Sequence, residues 1–269
     1  MIRITVIGVT GRMGRAIVRV ADASGEAKVV AGLASASSKE LGRDIGELAG
    51  IASTGVRVTS DLKVALSHCD VVIDFSNAGA TAANVAECRL AHKPIVIGTT
   101  GLPDEARQVI EEAAAEIAII VAPNTSLGVT LLIEMVRAAA KALPESFDIE
   151  IWEAHHRHKK DAPSGTALAL GRAAAEGRGQ DLAKVGVLAR QGDSPRQSGE
   201  IGFSVTRGGD IVGEHSVMFA AAGEVLTLGH RATDRSIFAQ GAVRAAAWLA
   251  AKPAGRYGMC DVVGYKSGG

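Results

Sequence analysis

Apolar residues in the first half of the chain recur in two alternating rhythms. Short runs at Ile2–Ile7, Lys28–Leu33, Asp70–Phe75, Pro94–Ile97 and Ile117–Val121 have the length and continuity of strands buried on both faces, and Val56–Thr59 is a weaker run of the same kind. Between them apolar residues fall at helical spacing. Ala16, Ile17, Val20 and Ala21 mark one helix, Asp61 caps a short one reaching His68, and another spans Ala78 to His92. Pro103 to Glu116 predicts a further helix, with proline at its start and acids in its first turn. Strands alternating with helices predict a parallel, doubly wound sheet with right-handed crossovers.

The rhythm changes after a long helix over Leu127–Leu143. Phe147–Trp152 alternates strictly, as a half-buried strand does, and Val185–Arg190, Ile201–Arg207, Asp210–Ala220 and Glu224–His230 are strand-like runs joined by Gly-rich turns. Such a sequence predicts a second, α+β domain built on a mixed or antiparallel sheet. Ser236–Ala251 is an Ala-rich helix whose small face suits packing back on the first domain. The expected division is therefore 1–126 with 236–269 returning to it, and 127–235 as a separate domain. Beyond the helix a short tail runs through Tyr265 and ends in K-S-G-G, where disorder is expected. Residues 178–180 and 191–199 are polar loops.

Composition narrows the class. The 269 residues are 47% hydrophobic, enough for two ordinary cores, and carry a formal net charge of zero. Neither nucleic acid nor an anionic membrane is drawn to such a chain non-specifically. Cys69, Cys88 and Cys260 are widely spaced and odd in number, which fits a reducing compartment. The N-terminus opens directly on a strand pattern, and no apolar run approaches the ~20 residues of a membrane span. The expectation is a soluble cytoplasmic protein.

Strand, glycine turn and helix follow one another at the start of the chain. Gly8, Gly11 and Gly14 are spaced G-x-x-G-x-x-G, with Thr10 where a dinucleotide fold usually has its middle glycine. Helix-start amides above such a turn can face a pyrophosphate, so Gly8, Val9, Thr10, Gly11, Arg12, Met13 and Gly14 are candidate coenzyme-binding residues; a glycine turn without ligand is the plainer alternative. An acidic residue for the adenosine ribose would stand about 20 residues on, and Ala34 and Ser35 occupy that place. With no carboxylate to repel a 2′-phosphate, and with Ser35, Ser37, Ser38, Lys39 and Arg12 able to bind one, NADPH is expected to serve at least as well as NADH. Strand ends farther on place Asp74, Ser76, Gly98, Thr99 and Thr100 at the sheet edge where cofactors bind, although buried capping explains Asp74 and Ser76 as well.

Glu153 to Ala167, E-A-H-H-R-H-K-K-D-A-P-S-G-T-A, joins imidazoles and ammonium groups to a helix start. Ser164 can cap that helix, and the amides of Gly165 and Thr166, with the Thr166 hydroxyl, can hold a carboxylate. His155 or Lys159 can deliver a proton near neutral pH. Solvated surface charge is the plain alternative for each residue taken singly. A metal site at His156 and His158 lacks a Cys or carboxylate at ligand spacing and faces two adjacent cations, so no metal is expected.

This stretch resembles the signature of the 4-hydroxy-tetrahydrodipicolinate reductase (dihydrodipicolinate reductase) family, E-A-H-H-x-x-K-x-D-x-P-S-G-T-A. G-x-x-G-R-M-G at Gly8–Gly14, G-T-T-G at Gly98–Gly101, A-P-N-T-S-L-G at Ala122–Gly128 and R-G-G-D-I-V-G-E-H at Arg207–His215 are similar to further family segments, in the same order. The resemblance implies a Rossmann-like coenzyme domain and a substrate and oligomerisation domain. It further implies NADPH or NADH as reductant, a cyclic dicarboxylate as substrate, and a homotetramer built through the second domain's sheet.

By the same resemblance His155 and Lys159 are the catalytic proton donors. His156 binds substrate with Lys159, Ser164, Gly165 and Thr166, and Gly98, Thr99, Thr100, Ala122, Pro123, Asn124 and Thr125 lie along the coenzyme. Ser164 reads as a cap rather than a nucleophile, and Asp161 and Arg157 as structural. From the residues alone, Arg207, Asp210, Glu214 and His215 yield only turns and salt bridges. Two positions depart from the family pattern: Ala34–Ser35 replaces an acidic–basic pair, and Thr125 replaces a phenylalanine. Rival readings are another two-domain NAD(P) oxidoreductase, such as an amino-acid or sugar dehydrogenase, and a non-catalytic NAD(P) sensor.

Overall fold

The computed structural model describes residues 1–265, so the K-S-G-G tail lies outside the described residues. Two compact units divide the chain: residues 1–126 with 236–264, and residues 127–235 with Tyr265.

The first unit opens with β1 (Ile2–Ile7), α1 (Arg12–Ser24), β2 (Ala27–Leu33), α2 (Ile45–Ala49), β3 (Val58–Thr59), α3 (Leu62–Leu66) and β4 (Val71–Asp74). A single 3₁₀ turn leads into α4 (Thr81–Leu90), followed by β5 (Ile95–Ile97), α5 (Asp104–Ala113) and β6 (Ala118–Val121). Asp44 and Asp61 start their helices as capping acids, accepting amides two or three residues on.

The second unit contains α6 (Leu127–Ala142), β7 (Asp148–His155), α7 (Gly165–Gly177), α8 (Leu182–Val185), β8 (Gly186–Val187), β9 (Ile201–Arg207), β10 (Gly213–Ala221) and β11 (Glu224–Ala232). The chain then returns to the first unit with α9 (Ser236–Leu249), β12 (Gly255–Tyr257) and α10 (Met259–Val263).

The first sheet runs β12-β6-β5-β4-β1-β2-β3 and is parallel throughout. Its strands are apolar on both faces because both are covered. Ile4, Val6, Ile73 and Ile120 pack with Ile17 and Val18 of α1 and Ala242, Ala246 and Leu249 of α9, whereas Val72, Ile95, Ile97 and Ile119 pack with Leu66, Val85 and Ile110 of α3, α4 and α5. The fold is Rossmann-like. Small residues let α9 lie close: a Cβ on Gly241 would strike the Thr125 carbonyl. Trp248, edge-on to Tyr257 at 5.3 Å, fastens α9 to β12.

Two elements depart from the sequence expectation. The segment after residue 251, read as a tail, supplies β12, which pairs with β6 at the sheet edge, and α10. Val185–Arg190, read as a strand, is mostly not one: Asp181 caps the short α8 and leaves only Gly186–Val187 to pair with β9.

The second sheet runs β11-β10-β7-β9-β8 and is mixed, with β10 antiparallel to β7 and β11, and β9 parallel to β7 and β8. Helices α6 and α7 cover one face, where Ile149, Ile151, Ile201, Phe203, Val217 and Phe219 meet Leu132, Val136, Ala140, Leu170 and Ala174. Arg137 of α6 binds Glu176 of α7 at 2.9 Å across the helix pair. Trp152, Met218 and Val225 are exposed apolar side chains of the same sheet, and Val225 is 58% accessible.

Candidate active site

The row of residues on the helix-covered face of β7 is Ile149, Ile151, Glu153 and His155, so a carboxylate continues a line of buried isoleucines. Pairing fixes its neighbours: β10 sets His215 opposite Glu153, and β9 sets Arg207 opposite His155. Glu153 is 0% exposed and fully bonded. Its Oε1 accepts from Arg207 Nη2 at 2.8 Å and from the Ser164 amide at 2.9 Å, and its Oε2 accepts from Arg207 Nη1 at 2.8 Å and His155 Nδ1 at 2.6 Å. Burial alone would raise the Glu153 pKa, but the Arg207 fork, His155 and the Ser164 amide together hold it below the ordinary glutamate value. The same pairing raises Arg207.

His155 is driven the other way. Burial and the nearby Lys159 and Arg207 charges outweigh Glu153, so its pKa lies below the usual imidazole value. His215 stands edge-on to His155 with centroids 5.1 Å apart, and its Nε2 is 3.1 Å from Ser164 Oγ. Burial, with His155 beside it, depresses His215 to about 4, leaving it a neutral ring near pH 7.

Beyond β7 the chain turns. Gly208 and Arg157 tie this turn to the β9–β10 loop through the His155 and Gly209 carbonyls. His156 and His158 lie past the strand end, their rings 6.3 Å apart; among the described residues no group of three His, Cys, Asp or Glu is placed to hold a metal ion. Burial first, then Arg235, lowers His156. Lys159 Nζ sits 2.8 Å from Asp161, and the Ala162–Pro163 peptide is cis. Ser164 then caps the 13-residue α7, accepting from the Ala167 amide at 3.2 Å. It is 2% exposed and its hydroxyl is taken up by Ala167 and His215, so it acts on the helix rather than outward. Gly165, by contrast, is exposed, and a Cβ there would meet nothing within 4 Å. An exposed helix start suits an anionic ligand.

In the first unit the glycine loop is built for close approach. Gly8 has φ +81°, and a Cβ on it would lie 2.6 Å from the Phe75 carbonyl; one on Gly14 would overlap the Gly8 carbonyl and Val9. Gly11, the N-cap of α1, supplies no side chain, the first turn of α1 carries no acid, and among the described residues no side chain caps it. Loop and helix start therefore fit a pyrophosphate, and Val9 to Met13 follow the same turn. Arg15 Nε braces the loop at the Thr10 carbonyl, 2.9 Å away.

Other candidates are placed more variously. Thr100 and Pro123 are exposed at strand ends, whereas Gly98, Thr99 and Ala122 are buried and Thr99 Oγ1 donates to the Asp74 carbonyl. The Asp74 carboxylate, fully buried, accepts from the Ser76 amide and Asn84 Nδ2 and so braces the turn after β4. Asn124 Oδ1 accepts from the Ser126 amide at 2.9 Å. Thr125 is 1% exposed and donates to the Phe238 carbonyl at 2.6 Å, so its side chain anchors α9. Ala34 is buried, its amide on the Thr59 carbonyl, and Ser35 is exposed beside Ser37.

Sequence reasoning assigned no role to Glu153 and left Arg207 and His215 as structural. A carboxylate at the core-facing position of a strand was the available signal for Glu153. Local sequence marked His215 only as the end of the family-like segment Arg207–His215, and strand register is what sets it opposite Glu153.

Family models described as dihydrodipicolinate reductase, N-terminus, and dihydrodipicolinate reductase, C-terminus, match residues 2–125 and 128–263. The chain is 48% identical over 263 residues to a 4-hydroxy-tetrahydrodipicolinate reductase of Acinetobacter baumannii (strain AYE), covering 97% of this chain and 96% of that one. A protein of the same name from Alkalilimnicola ehrlichii is also 48% identical over 263 residues, covering 97% and 98%. Among solved structures, a dipicolinate-bound dihydrodipicolinate reductase from Paenisporosarcina sp. TG-14 superposes with a TM-score of 0.77 at 26% identity, covering 97% and 98%. An amine dehydrogenase from Mycobacterium smegmatis shares the fold alone, at TM-score 0.60 and 13% identity, covering 95% and 94%.

Proposed function

Since this chain belongs to the dihydrodipicolinate reductase family, we propose that it reduces 4-hydroxy-tetrahydrodipicolinate to tetrahydrodipicolinate, with loss of water, in lysine and diaminopimelate biosynthesis. The observation that carries this reading is the attachment of His155 and the Ser164 amide at the head of α7 to one buried carboxylate, Glu153, with Lys159 on the intervening turn.

Bound NADPH or NADH supplies a hydride to the ring carbon made electrophilic by conjugation with the imine once water has left. Gly8, Gly11 and Gly14 with the start of α1 hold its pyrophosphate, Ala34 and Ser35 border the adenosine ribose, and Thr100, Pro123 and Asn124 line the nicotinamide end. The remaining work falls to the second unit. Gly165 and Thr166 take one substrate carboxylate at the positive end of α7, and His156 and Lys159 take polar groups of the ring. Electron density left on the adjacent ring carbon is quenched by a proton from His155 or Lys159. A depressed pKa makes the protonated form of His155 a stronger acid. The Lys159–Asp161 pair opens so that the ammonium can turn to the substrate.

Trp152, Met218 and Val225 support a homotetramer assembled through the second sheet. None of the described helices is long and apolar enough to cross a membrane, and the chemistry belongs to the cytoplasm. The test is oxidation of NADPH and NADH by purified protein, with substrate generated in place from pyruvate and aspartate semialdehyde by the preceding synthase. Turnover supports the reading. Coenzyme binding without turnover overturns it.

A further inference from the structure

We propose that Glu153 is a positioning residue that sets the tautomer of His155 and the carboxylate cradle of α7 together, with Arg207 as the counter-charge that keeps it ionised. The inference rests on the function proposed above for its catalytic consequence, and on geometry alone for its structural half.

Each Glu153 oxygen has two donors, one from Arg207 and one from the site. Oε2 takes His155 Nδ1 at 2.6 Å and Oε1 takes the Ser164 amide at 2.9 Å. A carboxylate accepts and does not donate, so His155 must carry hydrogen on Nδ1, and its Nε2 becomes the nitrogen that exchanges a proton outside. At the opposite end of the ring a Cβ on Gly213 would stand 3.1 Å from His155 Nε2, so only glycine leaves that nitrogen uncrowded by a side chain at this position. The groups facing His155 are Glu153, Arg207, Lys159 and the neutral ring of His215. An unpaired glutamate beside the ring would make it a weaker acid. The bidentate fork of Arg207 offsets that charge, so Glu153 orients His155 while the ring remains readily deprotonated.

The Ser164 bond is the second half. Ser164 is the residue whose backbone turns into α7, and its amide is the last donor before the amides of Gly165 and Thr166. Fixing it to the same carboxylate fixes the spacing between the proton donor and the anion-binding helix start. A shift of Glu153 therefore displaces both, which ties turnover and substrate affinity to one side chain while coenzyme affinity stands apart.

The test uses ¹⁵N-histidine NMR on the full-length protein and Glu153→Gln. Wild-type protein is expected to show neutral His155 as the Nδ1–H tautomer, a measurement that needs no variant to fold. In E153Q the tautomer population is expected to shift, kcat to fall about tenfold or more and the substrate KM to rise, with the Kd for coenzyme unchanged. Glu153→Asp, which keeps the charge, should restore the Nδ1–H tautomer and part of the turnover. A dominant Nε2–H tautomer in the wild type, or an E153Q protein with wild-type tautomer and turnover, overturns the proposal. Wild-type protein that shows the Nδ1–H tautomer but never turns over the dicarboxylate overturns the functional reading and supports the positioning of His155.

Discussion

The ammonium of Lys159 is held 2.8 Å from the carboxylate of Asp161, two residues along the turn that joins β7 to α7. Asp161 is the more exposed partner, at 59% of its side-chain surface, and Lys159 holds its pKa below the usual aspartate range. The pair is therefore weak and easily opened. Lys159→Met is expected to lower kcat by roughly 100-fold or more, the scale of losing a proton donor, with coenzyme Kd unchanged. Asp161→Asn should retain most turnover and lower the substrate KM by about threefold, because the competing anion is gone. Steady-state kinetics with coenzyme titration separates the two. Unchanged turnover in K159M would remove Lys159 from the chemistry.

Gly213 begins β10 against the ring of His155. A Cβ at 3.1 Å from Nε2 is tighter than ordinary van der Waals contact, so either the ring or the strand must give by a few tenths of an ångström. The ring is fixed at its other end by Glu153. Gly213→Ala is expected to cut kcat by about 10-fold, since small misplacement of a catalytic group is costly, while the thermal midpoint moves by only a few degrees. A G213A protein with normal kinetics would show that His155 Nε2 has more room than the structure gives it.

His215 connects the site to stability. It is 6% exposed, its folded pKa is about 4, and Glu153, His155, His230 and Lys159 are the groups around it. Because the folded pKa lies below the unfolded value of ~6.5, the unfolded chain binds the extra proton first. Stability from this residue is thus complete above pH ~6.5 and is lost as pH falls toward 4, by an amount on the order of 3 kcal/mol. Thermal unfolding from pH 7.5 to 4.5 should show this decline, and His215→Asn, which can still pair with Ser164, should flatten it. Parallel pH profiles for the two proteins would contradict the assignment.

Much of this architecture is readable from local pattern. Apolar runs such as Val71–Asp74 and Ile95–Ile97 mark buried parallel strands, and Asp61 and Ser164 mark helix starts, because one-residue physics dictates both. Gly255–Tyr257 escaped that reading since G-R-Y has no strand signature of its own; it is a strand because Ile119 and its neighbours in β6 offer an edge. The converse error at Val185–Arg190 has the same origin, an apolar pattern overruled by a cap at Asp181. In the site, His155, Lys159 and Gly165 lie within one short stretch and could be read together. Arg207 and His215 are more than fifty residues from Glu153, and only strand register brings them to it.

Coenzyme choice turns on the end of β2. Residues 34–39 read A-S-A-S-S-K and contain no acid. Ser35 and Ser37 are exposed with hydroxyl oxygens 3.2 Å apart, and Lys39, two residues further along the chain, is exposed. The next acid, Glu40, already binds Arg43 at 2.5 Å and lies 3.8 Å from Arg15, so its charge is shared between two guanidinium groups. A 2′-phosphate bound at this strand end would meet hydroxyls and a cation, and kcat/KM for NADPH is expected to equal or exceed that for NADH. Ser35→Glu places a like charge against the phosphate at a cost of ~1–4 kcal/mol, weakening NADPH binding by about 10-fold or more. NADH, whose free 2′-hydroxyl can donate to the new carboxylate, should bind at least as tightly as before. Fluorescence titration of both coenzymes reads this directly. Equal weakening of both by S35E would mean that the ribose does not lie at Ser35, and a strong wild-type preference for NADH would mean that the missing acid does not set the choice.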